Sequence, residues 1–228
     1  MIEQHFKDRK AAAQATAEAI AAALRRRLAS EDEVALVVSG GSTPVPVLLG
    51  LSAMALDWSR VHVVPSDERW VPADHEESNE HMIRGALMRN HAADARLVSL
   101  YRAGRTPEEA CDALQPTLEH LPLPMAATLL GMGTDGHFAS LFPDYDGLED
   151  ALDLSNEHWC AGVRTAGSPH PRLSLTLPAL ACSDRIILLI FGDEKRQVLE
   201  DARAGRREYP VSALLAQNRA PLHVIWAP

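Results

Sequence analysis

Several short runs in this chain are almost wholly apolar, with no alternation of polar and apolar residues. Val34-Ala-Leu-Val-Val38, Ala126-Ala-Thr-Leu-Leu130 and Ile186-Ile-Leu-Leu-Ile-Phe191, the last entered through Arg185, are the clearest. A strand that is apolar on both faces must be covered on both faces, which is the condition of a central strand in a parallel sheet. Val61-His-Val-Val64 and Leu222-His-Val-Ile-Trp226 supply two further strands. Between them lie helical segments: about Asp8 to Leu28, Asn79 to about Asn90, Pro107 to Glu119, and one entered through Gly192-Asp-Glu-Lys195. Ser39-Gly-Gly-Ser-Thr-Pro44 breaks the first strand and opens another helix, with Ser42 or Thr43 as cap and Pro44 at the first helical position. Strands alternating with helices predict an α/β fold: three layers around a doubly wound, mainly parallel, Rossmann-like sheet. No linker divides the 228 residues, so a single domain over 1–228 is expected. Pro65 to Pro72 reads as a charged loop with neither periodicity.

Charge narrows the partners. The net charge of -9 sets a long-range repulsion against nucleic acid and anionic membrane, so neither is expected. A small anion held by local arginines or helix ends remains compatible. Cys111, Cys160 and Cys182 are odd in number and widely spaced, with no C-x-x-C pattern, which predicts a reducing, cytoplasmic setting without a disulfide framework or thiolate metal site. The charged start, Met1 to Asp8, does not read as a signal peptide, and no apolar run approaches the roughly 18 residues of a membrane span. Monomer and homodimer are both open.

Gly131-Met-Gly-Thr-Asp-Gly-His-Phe-Ala-Ser-Leu-Phe142 is the stretch richest in chemistry, because it places Asp135 and His137 on a glycine-built loop directly after a buried strand. Its glycines spell G-x-G-x-x-G, the dinucleotide fingerprint. Here, however, a carboxylate at Asp135 would face the pyrophosphate, and Pro143 leaves room for little more than one helical turn after His137. Asp135 can instead cap that turn, with His137 at the surface, or the two can act together on a water. An unperturbed imidazole titrates near about 6.5 and accepts a proton around neutral pH. No G-x-S-x-G elbow is present and Ser140 has no evident partner, so a covalent serine mechanism is not supported.

Other segments carry two readings each. Gly40, Gly41, Ser42 and Thr43 offer backbone N–H groups and hydroxyls at a helix start, as either a phosphate cradle or an ordinary capped turn; with no lysine after the glycines this is not a Walker A loop. Asp67, Glu68 and Arg69 can bind sugar hydroxyls, take a proton or stabilise an oxyanion, or can pair with one another in solvent. His75, Glu76, Glu77, Glu80 and His81 have the composition of a metal cluster, but the two histidines are spaced too widely to share a helix face. Arg172 opens an alternating segment and can fork onto a phosphate. Of the 22 basic residues only Lys7, Lys10 and Lys195 are lysines, which singles out Lys195. His5, His62, His91, His120, His158, His170 and His223 stand outside any constellation.

Taken in order, Ser39 to Pro44, Asp67-Glu-Arg-Trp-Val-Pro72 with Ser78-Asn79, Gly131 to Pro143, Arg172 with Thr176-Leu-Pro178, and Pro210-Val-Ser212 resemble the 6-phosphogluconolactonase family, within the glucosamine/galactosamine-6-phosphate isomerase superfamily. The resemblance implies hydrolysis of 6-phospho-D-glucono-1,5-lactone to 6-phospho-D-gluconate in the oxidative pentose phosphate pathway, with no metal or organic cofactor. It implies His137 as general base, Asp135 as its support and Arg69 near the reacting carbonyl. It places the phosphate on Gly40, Gly41, Ser42 and Thr43 with Arg172 and Lys195, and gives Asp67 and Asn79 to the substrate site. The related deaminases continue their Asp-Gly-His loop with Asn-Glu-Pro, where this chain has Phe142 before Pro143, and they typically place an aromatic at the position of Arg69. Both differences make deaminase or isomerase chemistry the lesser alternative. Asp144 departs from the lactonase pattern, where glycine is usual, and puts the form of that turn in question.

Overall fold

In a computed structural model, which describes residues 1–228, the chain runs through ten strands and eight α-helices. In order they are β1 (Ile2–His5), α1 (Arg9–Leu28), β2 (Val34–Val38), α2 (Val45–Ser52), β3 (Val61–Pro65), β4 (Asp67–Arg69) and α3 (Asn79–Ala86). There follow β5 (Arg96–Leu97), α4 (Pro107–Glu119), β6 (Ala127–Leu130), α5 (Leu148–Leu152), β7 (Cys160–Val163) and β8 (Arg172–Leu175). The chain ends with α6 (Leu177–Ala181), β9 (Ile186–Phe191), α7 (Asp193–Arg203), α8 (Pro210–Ala216) and β10 (Leu222–Ala227).

Seven strands form one sheet in the order β1-β10-β9-β6-β2-β3-β5, and every pairing in it is parallel. Both faces are covered, which is why the strands read as unbroken apolar runs. Leu36 and Val38 of β2, with Ile187 and Leu189 of β9, pack with α1, α2 and α3 on one side. Ala35 and Val37, with Leu188 and Ile190, face α4, α6, α7 and α8 on the other. The long first helix buries Ala12, Ala13, Thr16, Ala17, Ile20, Ala21 and Leu24 along one stripe, and the small alanines let it lie close to the sheet. No helix is long and apolar enough to cross a membrane.

The strand order reverses between β2 and β6. The chain builds outward from β2 to β3 and β5, then returns to the far side of β2 for β6, β9 and β10. Loops leaving the C-terminal ends of β2 and β6 therefore diverge and leave a crevice, the usual ligand position in such sheets.

Local structure departs from expectation in several places. Asp67 to Arg69 is not a loop: it is β4, which with β8 and β7 makes a second, antiparallel sheet in the order β4-β8-β7. Three charged residues carry no apolar period, and β4 is held by its pairing with β8 and by bonds to the Glu68 carboxylate. The edge strand β1 also escapes the pattern, since all four of its residues are exposed. Helix α2 begins at Val45 with Pro44 at its cap position and no side-chain capping bond, so neither Ser42 nor Thr43 serves as cap. Helix α3 stops at Ala86, short of Asn90. No helical turn follows His137; residues 138–141 close a tight turn through a Leu141 N–H bond to the Phe138 carbonyl at 3.0 Å.

Candidate active site

The crevice beside β2 and β6 is a polar cleft of about 270 Å³ in which only Met132 and Ala139 are apolar. One wall comes from loops at the ends of the parallel strands: Ser39 to Thr43 after β2, Gly131 to His137 after β6, and Lys195 in the first turn of α7 after β9. The facing wall comes from the small sheet, with Asp67 and Arg69 on β4 and Arg172 on β8, and from Asn79 at the start of α3. The residues that the family resemblance assigns to the site all line this cleft except Asp135, which is bonded to His137; Glu68, a further candidate from its charge, is buried outside it.

Asp135 serves two purposes. Its Oδ1 accepts the His137 backbone N–H at 3.2 Å, closing the turn, and meets His137 Nδ1 at 2.6 Å. A carboxylate can only accept, so Nδ1 carries the proton and the lone pair falls on Nε2. Burial pushes the Asp135 carboxyl up, but the hydrogen bond and charge of His137 outweigh it and hold the group below its ordinary range. The pair lies flat against Gly133: a Cβ there would come within 2.3 Å of His137 Nδ1 and 2.4 Å of Asp135 Oδ1. On its other side the imidazole meets the Phe142 ring, 4.3 Å away between centroids.

The small sheet concentrates positive charge. Arg69 and Arg172 are register partners across β4 and β8. Arg69 Nη1 donates to the Glu77 carbonyl at 2.6 Å, while its buried Nε has no partner in the protein. Arg172 Nε donates to Ser168 Oγ at 3.0 Å, and its guanidinium lies 5.2 Å from the Phe142 ring centroid and 3.8 Å from Asp67 Oδ2. Burial lowers the Arg172 pKa, Asp67 partly offsets this, and the neighbouring charge of Arg69 lowers it again. Lys195 is lowered by burial too, against the attraction of Glu194. Three cations thus converge on a cleft in a chain of net charge -9. Together with the N–H groups at the start of α2, they suit a phosphate or carboxylate.

Supporting groups sit just outside; Glu68, a candidate from the sequence for binding or proton transfer, instead anchors the wall. Glu68 is fully buried; Oε1 accepts the N–H groups of Arg69 at 2.8 Å and Asn79 at 2.7 Å, and Oε2 accepts Glu80 N–H at 2.7 Å and Ser78 Oγ–H at 3.1 Å. Burial raises its pKa, only partly offset by those N–H bonds. The N-terminus of α3 is thereby fastened to β4, and Asn79 is placed: its Nδ2 donates to the Asp67 carbonyl at 2.8 Å, and its Oδ1 lies 1.9 Å from where a Cβ at Gly40 would be. Gly40 is a glycine because that amide occupies its side-chain space. Ser39, Gly131, Met132, Gly133 and Ala139 also line the cleft. Their adjacency to the glycine loops was the only signal in the sequence. Within the acidic and histidine run at 75 to 81, Glu77 pairs with His170 and Glu80 with Arg84.

A family described as glucosamine-6-phosphate isomerases/6-phosphogluconolactonase matches residues 7–226 of this chain. The chain belongs to the glucosamine-6-phosphate isomerase/6-phosphogluconolactonase family. Among its relatives, a 6-phosphogluconolactonase of Pseudomonas aeruginosa is 42% identical over 218 residues, covering 95% of this chain and 90% of that protein. A 6-phosphogluconolactonase of Rhizobium meliloti is 38% identical over 225 residues, covering 98% and 97%. The crystal structure of a 6-phosphogluconolactonase from Shewanella baltica superposes with a TM-score of 0.94 at 34% identity, covering 100% of this chain and 98% of that one. Two points raised by the family pattern are resolved locally. Phe142 fills the space between the His137 ring and the Arg172 guanidinium, where it can neither give nor take a proton. Asp144 sits in a turn closed by Tyr145 N–H to the Phe142 carbonyl at 3.1 Å, and its φ is not positive, so the turn does not require glycine.

Proposed function

We propose that His137, held by Asp135, activates water for the hydrolysis of 6-phospho-D-glucono-1,5-lactone to 6-phospho-D-gluconate in the oxidative pentose phosphate pathway. The reaction is the one in the names of the relatives at 34–42% identity that span nearly the whole chain. The observation that carries the mechanism is the 2.6 Å contact of His137 Nδ1 with Asp135 at the edge of a cleft with three cations. Nε2 takes a proton as the water oxygen bonds to the lactone carbonyl carbon, and the carbonyl electrons move onto oxygen. Collapse of that oxyanion re-forms the carbonyl and breaks the ring C–O bond; the departing ring oxygen recovers the proton from Nε2. Arg69, whose side chain lines the cleft, supplies the positive charge that stabilises the oxyanion. The phosphate rests on Gly40, Gly41, Ser42 and Thr43 with Lys195 and Arg172, and Asp67 and Asn79 complete the substrate wall. Holding this remote dianion orients the lactone, so phosphate contacts contribute to turnover as well as to affinity. Adding water across an ester calls for no electron carrier.

The reading treats residues 1–228 as one unit acting in the cytoplasm, as a monomer or homodimer; the three free cysteines suit a reducing compartment. The test is hydrolysis of freshly prepared lactone, followed by coupling to 6-phosphogluconate dehydrogenase. Rates should rise far above spontaneous opening. His137→Ala should lose on the order of 10²–10⁴ in kcat while still binding 6-phosphogluconate. Absence of acceleration by the unaltered protein would overturn the activity; an unimpaired His137→Ala would overturn the mechanism.

A further inference from the structure

Two residues beyond His137 the backbone enters the left-handed region at a residue that is not glycine: Ala139 has φ of 48°. Such a conformation persists only where its surroundings hold it. The next residue does the holding. Ser140 is fully buried; its N–H donates to Ser174 Oγ on β8 at 3.1 Å, and its hydroxyl donates to Asp67 Oδ2 on β4 at 2.6 Å. Ser174 is itself fixed by donating to the Leu175 carbonyl at 3.0 Å, and Asp67 Oδ1 accepts Ser66 Oγ–H at 2.8 Å. Asp67 and Ser174 are register partners, so both anchors lie on the same rung of the small sheet. Arg172 Nη1 reaches this knot as well, 3.5 Å from Ser140 Oγ and 3.8 Å from Asp67 Oδ2.

The knot joins the two walls of the cleft. The loop bearing His137 belongs to the parallel sheet, whereas Arg69 and Arg172 belong to the antiparallel one. Apart from the Phe142 ring, which touches both His137 and Arg172, Ser140 is the point where that loop is hydrogen-bonded to the small sheet beside the cleft. We propose that Ser140 is a positioning residue for the lactonase reaction: it bolts the Ala139 turn to Asp67 and Ser174, and so fixes the distance of His137 from the two guanidinium groups. A general base displaced by about 1 Å from its water loses up to roughly 10²-fold in rate, so the bolt acts on turnover more than on affinity. Asp67 is then chiefly an anchor, because its two oxygens are already engaged by Ser66, Ser140 and Arg172.

This inference rests on the lactonase reading, and the experiment keeps the two apart. In Ser140→Ala, kcat should fall by roughly 10- to 100-fold, while KM and the affinity for 6-phosphogluconate stay within a factor of about three of the unaltered protein. Adding Ala139→Gly lets the turn keep its conformation without strain, so the double variant should recover part of the lost kcat. Ser140→Cys, close in size and only a weak donor, should fall between and serves should the alanine variant not fold. A readout independent of activity is the NMR signal of the His137 Nδ1 proton, which should be protected in the unaltered protein and broadened or lost in Ser140→Ala. Unchanged kcat with only a lower Tm, or a rise in KM at constant kcat, would overturn the positioning role. So would an unaltered Nδ1 signal in Ser140→Ala, whether or not the protein hydrolyses the lactone.

Discussion

At the scale of single residues, the Asp135–His137 pair depends on what is missing beside it. Asp135 and His137 occupy the volume that a side chain at Gly133 would need, and the Gly133 N–H is bonded to the His137 carbonyl at 2.9 Å, so this residue cannot swing away without opening the turn. Gly133→Ala forces the imidazole off its carboxylate. Its kcat should fall toward that of His137→Ala, by on the order of 10²–10⁴. Gly133 itself is partly exposed and, unlike Met132 and Phe138 beside it, adds no side chain to the core, so Tm should change by no more than a few degrees. A Gly133→Ala enzyme with normal turnover would show that the Asp135–His137 contact is not what sets the base. The sequence revealed the pair because glycines, a carboxylate and an imidazole crowd one strand end. Ser140 and Ser174 were not visible there: a serine among apolar residues carries no signal until its partner is known, and Asp67 lies 73 positions away in the chain.

At the scale of elements, β4 shows why one part of the fold is legible in the sequence and another is not. β2, β6 and β9 announce themselves because both faces are buried and every residue is chosen for that. β4 has three residues, all charged, and its burial is made possible by bonds rather than by apolar pattern. Glu68 is the centre of this, accepting four donors, three of which, on Ser78, Asn79 and Glu80, tie β4 to the start of α3. Glu68→Gln keeps the shape but turns an NH₂ group toward backbone N–H donors on one side. Leaving a buried donor unsatisfied costs about 1–3 kcal/mol. For a domain of this size that corresponds to a Tm lower by roughly 2–12 °C, measurable by calorimetry. Because Glu68 positions Asn79 and Arg69, KM for the lactone should rise as well. A Glu68→Gln variant as stable as the parent would mean that the β4–α3 connection is carried elsewhere. β1 is illegible in the sequence for the opposite reason: an exposed edge strand has no buried face to impose a period on its residues.

At the scale of the whole molecule, the cleft lies between two sheets that share no strand, one parallel and one antiparallel. A phosphorylated ligand touching the α2 and α7 ends on one side and Arg69 and Arg172 on the other cross-links them, so it should stabilise the folded chain by mass action. At about 100 times its Kd, 6-phosphogluconate should contribute about 2.7 kcal/mol and raise Tm by roughly 5–10 °C. Lys195 gives this shift a pH dependence whose sign is fixed. Burial lowers its pKa in the free protein, so it loses its charge at a lower pH than an ordinary lysine. A bound phosphate dianion favours the protonated form. The ligand-induced rise in Tm should therefore hold at neutral pH and shrink as pH climbs through the lowered pKa, before the ordinary lysine range. Comparing protein with and without ligand at each pH removes the separate effect of Lys195 on the free protein, which by itself gains stability as the buried charge is lost. Lys195→Arg, charged throughout, should keep the ligand shift at alkaline pH, and Lys195→Met should reduce it at every pH. A ligand shift equally large at neutral and alkaline pH in the unaltered protein would remove Lys195 from the phosphate site.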